Sequence, residues 1–191
     1  MHQGAVLAFG LALGLVIGAP RSVLAAPVID TYVGGGNGDG NVAINAIIDP
    51  RGLIAVGAAS SPDLYIADGR NNFIRRVDGR TGLIEAVAGN GEAGFSGDGG
   101  SAVNATLNLP LDVARDSAGN LYIADNKNNR IRKVTPAGQI STFAGNGDAS
   151  FSGDNGLATR AALNAPYGVA IGPDGYVYIC LLYTSPSPRD S

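Results

Sequence analysis

The chain has 191 residues, 29 of them glycine, with 45% apolar but only 6% aromatic residues, a turn-rich composition suited to short strands. A net charge of −3 argues against a general binder of phosphate backbones, so nucleic acid is not an expected partner. The single histidine, His2, leaves the remainder without an imidazole for a Ser-His or Cys-His pair or a zinc site, and the single cysteine, Cys180, excludes a disulfide within the chain.

Residues 4–20 form an apolar run followed by Arg21 and the small-residue sequence Val23-Leu24-Ala25-Ala26. The run is too short for a membrane span and ends as a signal-peptide cleavage site does, although no Lys or Arg precedes it. The expectation is a signal peptide over residues 1–25 and a secreted, periplasmic or cell-surface protein with no membrane span in the mature chain.

The body of the chain is a repeat. LYIADGRNNFIRRV, Leu64 to Val77, returns as LYIADNKNNRIRKV, Leu121 to Val134, with ten of fourteen positions identical. The step is 57 residues from Tyr65 to Tyr122 and 56 from Tyr122 to Tyr178, where a third copy begins. AGNGEAGFSGDGG from Ala88 likewise returns as AGNGDASFSGDNG from Ala144. A fixed long period means stacked copies of one supersecondary unit. Within a period, Leu121 and Ile123 alternate with Tyr122 and Ala124 as a two-faced strand does. Asp125 to Asn129 is a polar turn, Arg130 to Thr135 a strand, Pro136-Ala137-Gly138 a turn and Ile140 to Ala144 a strand, while Pro166 to Ile171 opens the next unit as Pro110 to Ala114 opens its own. Four short strands per period predict blades of a β-propeller.

The Tyr-Ile-Ala-Asp-x-x-Asn-Asn-Arg-Ile-Arg run closely resembles the NHL repeat, and the GFSGDGG insertion is similar to that of secreted bacterial NHL propellers and of the teneurin propeller. The resemblance covers residues 29–179 and implies a propeller whose common role is binding. The expected fold is all-β, a partial propeller of four-stranded antiparallel blades with two complete blades and an interrupted third, over residues 27–179. About three periods fit the chain, fewer than the four to eight blades of a closed propeller, which predicts a fragment. Residues 180–191, CLLYTSPSPRDS, abandon the repeat abruptly and resemble the translation of a sequencing adapter. They are expected to be a non-native tail, since Pro186 and Pro188 do not suit a paired central strand.

Asp68, Asp125 and the Asn pairs 71–72 and 128–129 recur at one place in each unit, which points to holding the turn after the second strand. The basic pairs Arg75-Arg76 and Arg132-Lys133 are expected to be solvated strand-edge charges. Asp98 and Asp154 sit in Gly-rich loops that supply one or two acids each, too few for the six to eight oxygens of a calcium site. No cofactor is expected, and calcium is the one metal these loops bring to mind.

Positions that vary between units are the candidates for recognition, because loops on a rigid frame carry it. Arg70, Asn126 and Lys127 lie in the turns after the second strands, Asp98 and Asp154 in the long inter-blade loops, and Arg51, Asp112 and Tyr167 follow the prolines that open the inner strands. All are expected on one rim. The function expected from this pattern is a secreted non-catalytic scaffold binding protein or glycan. The alternative is a fragment of a calcium-dependent propeller enzyme, of lactonase or lyase type, with its active-site residues mostly in absent blades.

Overall fold

The computed structural model describes residue 43 and residues 46–182. The expected signal peptide, and the end of the expected non-native tail beyond residue 182, lie outside them. Ten strands in three antiparallel sheets make up the fold, and no α-helix occurs among the described residues. The first blade is β1 (Pro50–Val56), β2 (Asp63–Asp68), β3 (Phe73–Val77) and β4 (Ile84–Ala88). The second is β5 (Pro110–Arg115), β6 (Leu121–Asp125), β7 (Arg130–Val134) and β8 (Ile140–Ala144). Each pairs in chain order, as an up-and-down meander does. A third sheet holds β9 (Pro166–Ile171) and β10 (Val177–Leu181). The expected partial propeller is therefore the fold observed. Cys180 and Leu181 pair with Gly168 and Pro166, so the boundary expected after Ile179 falls inside β10. Backbone pairing asks little of side-chain identity, and for that reason a break in the sequence motif does not end the strand.

The two complete blades share their irregularities as well as their strands. The ladder shifts between Pro50 and Leu53 in one and between Pro110 and Asp112 in the other, and again between Ile74 and Arg75 and between Ile131 and Arg132. Bulges at these places turn the strand and re-aim the side chains that follow.

Strand alternation decides which neighbour each residue meets. Leu121 and Ile123 of β6 join Val113, Val134 and Ile140 against Ala67, Ile74 and Ala88 of the first blade, with Ala102, Ala105 and Leu107 of the connecting loop filling the space between. The intervening Tyr122 and Ala124 face the other way, packing with Ile131, Ala144, Leu163 and Val169 toward the third sheet. Tyr122 meets Phe143 edge-on at 5.0 Å between ring centroids, a favoured aromatic geometry. Every residue of β6 is buried, as befits a strand covered on both faces. Leu64, Ile66, Val77 and Ile84 form a further cluster on the outer face of the first blade, closed in part by Ala46.

The second Asn of each Asn pair fastens one blade to the next. Asn129 sits in the left-handed region at φ 52°, a conformation Asn tolerates better than most residues. From there its Oδ1 accepts the Ala165 N–H at 3.0 Å and its Nδ2 donates to the Gly147 carbonyl at 3.1 Å. Asn72 holds Leu109 and Gly91 in the same way one period earlier. Asn129→Ala loses both bonds and the left-handed preference. The expected cost is about 1–3 kcal/mol in urea unfolding, the range for orphaning a buried polar group.

Candidate functional site

Behind the turn after the second strand lies a buried polar hub. In the second blade Asp125 is fully buried, accepting the Asn108 N–H at 2.8 Å on one oxygen and the Asn128 side-chain amide at 2.7 Å on the other. Arg132, opposite Ile123 on the neighbouring strand and also fully buried, approaches the same carboxylate at 3.4 Å. Its second nitrogen reaches the loop arriving from the first blade, donating to Asp98 Oδ1 at 2.7 Å and to the Ser96 carbonyl at 2.9 Å. Asp98 also accepts the Thr142 hydroxyl at 2.6 Å, so one loop carboxylate binds the third and fourth strands together. Phe95 lies under both Arg130 and Arg132, at 3.8 and 4.8 Å from ring centroid to guanidinium carbon. Charge-assisted bonds of this number are what allow an arginine to leave water. Asp68 repeats the arrangement with Asn71 and with Arg75 at 3.2 Å.

These contacts correct one expectation. Arg75 and Arg132 are not solvated edge charges; they are 1% and 0% exposed. Successive strand residues point to opposite faces, so of each basic pair only Arg76 and Lys133 turn outward. Arg76 there meets Asp63, Asp78 and Glu85 at 3.0, 3.3 and 2.8 Å.

Burial pushes the Asp125 carboxyl up to about 6, against the lowering effects of Asn128, Asn108 and Arg132. Burial raises Asp68 too. A carboxyl whose folded pKa exceeds its unfolded value stabilises the fold fully below the unfolded value, and that contribution is lost as pH rises through the folded one. The wild-type protein should therefore gain on Asp125→Asn, by up to about 3 kcal/mol, as pH falls from 7 to 4. Paired thermal melts over that range check it. A constant or narrowing difference contradicts the assignment. Only the difference between the two proteins is informative, because Asp78 and Asp116, held low by their hydrogen bonds, lose stability in acid in both.

The structure distributes the rim candidates unevenly. The turns after β2 and β6 and the starts of β1, β5 and β9 stand at one end of the blades, as the pairings of Asp68 with Pro50 and of Asp125 with Pro110 require. Arg51 is exposed at the start of β1, where Asp49 accepts from it at 2.9 Å and from the Arg70 backbone N–H at 3.2 Å. Arg70 is mostly in solvent, its Nε 3.9 Å from the same carboxylate. Lys127 is exposed on the equivalent turn, and Tyr167 is 63% exposed at the start of β9. Asn126 is buried beside them, donating from its side chain to the Pro166 carbonyl at 3.2 Å, so it fixes the rim and does not present itself.

Asp112 occupies the inner-strand place that Gly52 and Gly168 hold in the adjoining blades. One oxygen accepts its own strand's Val113 N–H and the other the Val169 N–H of β9, both at 2.9 Å, stitching two inner strands together. A side chain at residue 52 would strike Asp112 Oδ1 and its backbone, which is the reason for glycine there. Asp98 is drawn away from this group to the outer edge of the second blade by Arg132 and Thr142. Asp154 is exposed in the corresponding loop before the third sheet.

Asp49 was not foreseen from sequence, and it is the anchor for both rim arginines. Its one sequence signal is that it precedes Pro50 where Leu109 and Ala165 precede the other inner-strand prolines. Among the described residues, no three His, Cys, Asp or Glu side chains group to hold a metal ion. No helix there is long and apolar enough to cross a membrane.

Comparison with known proteins agrees with this architecture. Residues 107–134 match the family model of the NHL repeat, the span from the end of the connecting loop through β7. The chain is 34% identical over 134 residues to Protein SUPPRESSOR OF QUENCHING 1, chloroplastic, of Arabidopsis thaliana, covering 64% of the chain and 12% of that protein. It is 42% identical over 91 residues to human Teneurin-4, covering 41% of the chain and 3% of the relative. With human NHL repeat-containing protein 2 it shares 31% identity over 134 residues, 66% of the chain and 18% of the relative. The chain thus spans less than a fifth of any of these three relatives. Among solved structures, a protein of unknown function from Bacteroides thetaiotaomicron superposes with a TM-score of 0.54 at 27% identity, over 61% of this chain and 29% of that one. Matched repeat, matched blades and repeated hub agree: residues 50–181 form a partial NHL-type β-propeller, two complete blades and the first two strands of a third.

Proposed function

We propose that the chain is a secreted, non-catalytic propeller scaffold, periplasmic or displayed at the cell surface, that binds a protein or glycan on the rim formed by the inner-strand starts and the turns after the second strands. One observation carries the reading. At the start of three neighbouring inner strands Pro50, Pro110 and Pro166 are constant, while the next residue is Arg51, Leu111 or Tyr167. A constant frame with changing side chains is how a rigid scaffold sets specificity. Arg and Tyr are also the residue types that most often dominate binding energy. Lys127, on the turn whose Asn126 holds Pro166, adds a cation beside Tyr167.

Glycan and peptide arrays probed with the purified chain test this. The triple substitution R51A, K127A and Y167A should weaken any captured ligand at least tenfold, whereas R80A in the turn between β3 and β4, at the opposite end of the blade, should not. Binding that survives the triple substitution, or that R80A abolishes, overturns the rim assignment. Turnover of a captured ligand overturns the non-catalytic reading. Export by residues 1–25 is checked by N-terminal sequencing of the mature protein, which should begin just after Ala25 or Ala26.

A further inference from the structure

The two complete blades differ in what surrounds the tyrosine of their second strands. In the second blade Tyr122 is fully engaged. Phe143 meets its ring edge-on, the Lys133 ammonium stands 5.7 Å from the ring centroid, and the hydroxyl donates to Asp116 at 3.2 Å. Its counterpart Tyr65 has none of these companions. Val87 stands in the place of Phe143 and Arg76 in that of Lys133, and the turn at residues 57–62 carries no carboxylate to match Asp116. Arg76 and the phenol interact electrostatically, but the arginine's hydrogen bonds go to Asp63, Glu85 and Asp78 at 3.0, 2.8 and 3.3 Å. Tyr65 makes no hydrogen bond or ring contact among the described residues.

The smaller side chain leaves room. Arg76 pairs with Tyr65 on one side and with Glu85 on the other, and these three with Val87 form one wall of a cleft of about 320 Å³. Leu121 and Val134 of the second blade form the facing wall. Gly119 and Pro136 close it from the turns at the blade end opposite the rim. The size is that of a pocket for a small molecule. Three carboxylates, Asp63, Asp78 and Glu85, surround Arg76 and outnumber it even with Arg115, which stands beside Gly119 without lining the cleft. That excess of negative charge favours a cation.

We propose that this cleft between the first two blades binds a small aromatic ammonium compound. Its ring lies edge-on to Tyr65 in the space that Phe143 fills one blade later, and its ammonium sits over the same ring beside Glu85. Such a ligand carries on one molecule the two groups that Phe143 and Lys133 bring to Tyr122, and both contacts are attractive. Glu85 gives one oxygen to Arg76 and keeps the other for the ammonium.

The probe is phenethylammonium, titrated at neutral pH into the full-length protein and followed by amide NMR, with phenylacetate and butylammonium as comparators. Saturable shifts are expected at residues 65, 85–87, 121 and 134–138, with each comparator at least tenfold weaker because it lacks the charge or the ring. V87F supplies the ring from the chain itself and should weaken phenethylammonium at least tenfold, leaving amide shifts elsewhere in place. E85Q, at a residue 56% exposed, should weaken it about threefold, the loss of one surface ion pair. No saturable shift, phenylacetate or butylammonium bound as tightly, or undiminished binding by V87F would each overturn the proposal. Should V87F disturb the fold, the comparators on the unaltered chain and E85Q decide the matter. No rim residue is changed, so the result is independent of the binding function proposed above.

Discussion

Arg132→Met should lower the unfolding free energy by about 3–5 kcal/mol, the cost of removing one partner from a buried charge pair. Methionine fills a similar volume, so the loss is electrostatic and not a cavity. Asp125 would lose the cation that opposes its burial and keep only Asn108 and Asn128 as donors, so its carboxyl would be pushed further up. The Ser96 carbonyl and Asp98 Oδ1, at 2.9 and 2.7 Å from the lost nitrogen, would lose the donor that draws the inter-blade loop onto the blade. Phe95 would lose one of its two stacked cations. The defect should thus spread from the second blade to its junction with the first. Amide exchange in residues 95–106 should accelerate along with the drop in stability. Arg132→Lys should recover only part, because an ammonium lacks the planar fork that serves two carboxylates at once. The exposed Arg80→Met should stay within about 0.5 kcal/mol. Urea denaturation of the three variants measures all of this, and a loss below about 1 kcal/mol for Arg132→Met would show that the hub is not a stabilising centre.

That hub marks where sequence reasoning stops. The repeat from Leu64 and from Leu121 was enough for the four-stranded unit, and strand alternation placed Leu121 and Ile123 on one face and Tyr122 and Ala124 on the other, as found. Fold was legible because its determinants are local and periodic. The burial of Arg132 is neither. It depends on Asp98, thirty-four residues away in the chain and on the other side of a blade junction. An Arg-Lys pair on a strand looks like surface until that partner is known. Asp98 was placed on the rim for the matching reason: its loop leaves from the rim, but its carboxylate is claimed elsewhere. Arg51, Arg70, Lys127 and Tyr167 lie at the blade end expected of them because their place follows from strand order. Asp49 escaped notice because its partners, Arg51 and Arg70, come from two different strands' ends and meet only in three dimensions.

The second large effect concerns the first residue after each outer strand. Gly145 follows β8 at φ +95°, a region in which residues with a Cβ are strained. Any Cβ there would collide with the Asn129 carbonyl oxygen and lie 2.9 Å from the Arg130 Cα, both backbone and therefore unable to swing aside. Those atoms belong to the turn whose Asn129 fastens the third sheet, so relief of the clash would displace the Ala165 bond as well. Gly145→Ala should consequently cost about 2–5 kcal/mol, combining left-handed strain with overpacking. Gly138→Ala separates the two causes. Gly138 has φ +77° but open space around its would-be Cβ, so only the backbone strain applies and about 1 kcal/mol should be lost. Equal losses in the two variants would mean that the backbone conformation alone demands glycine after β8. A markedly larger loss at Gly145, with faster exchange at the Ala165 amide, assigns the difference to the contact between the end of one blade and the turn that clamps the next.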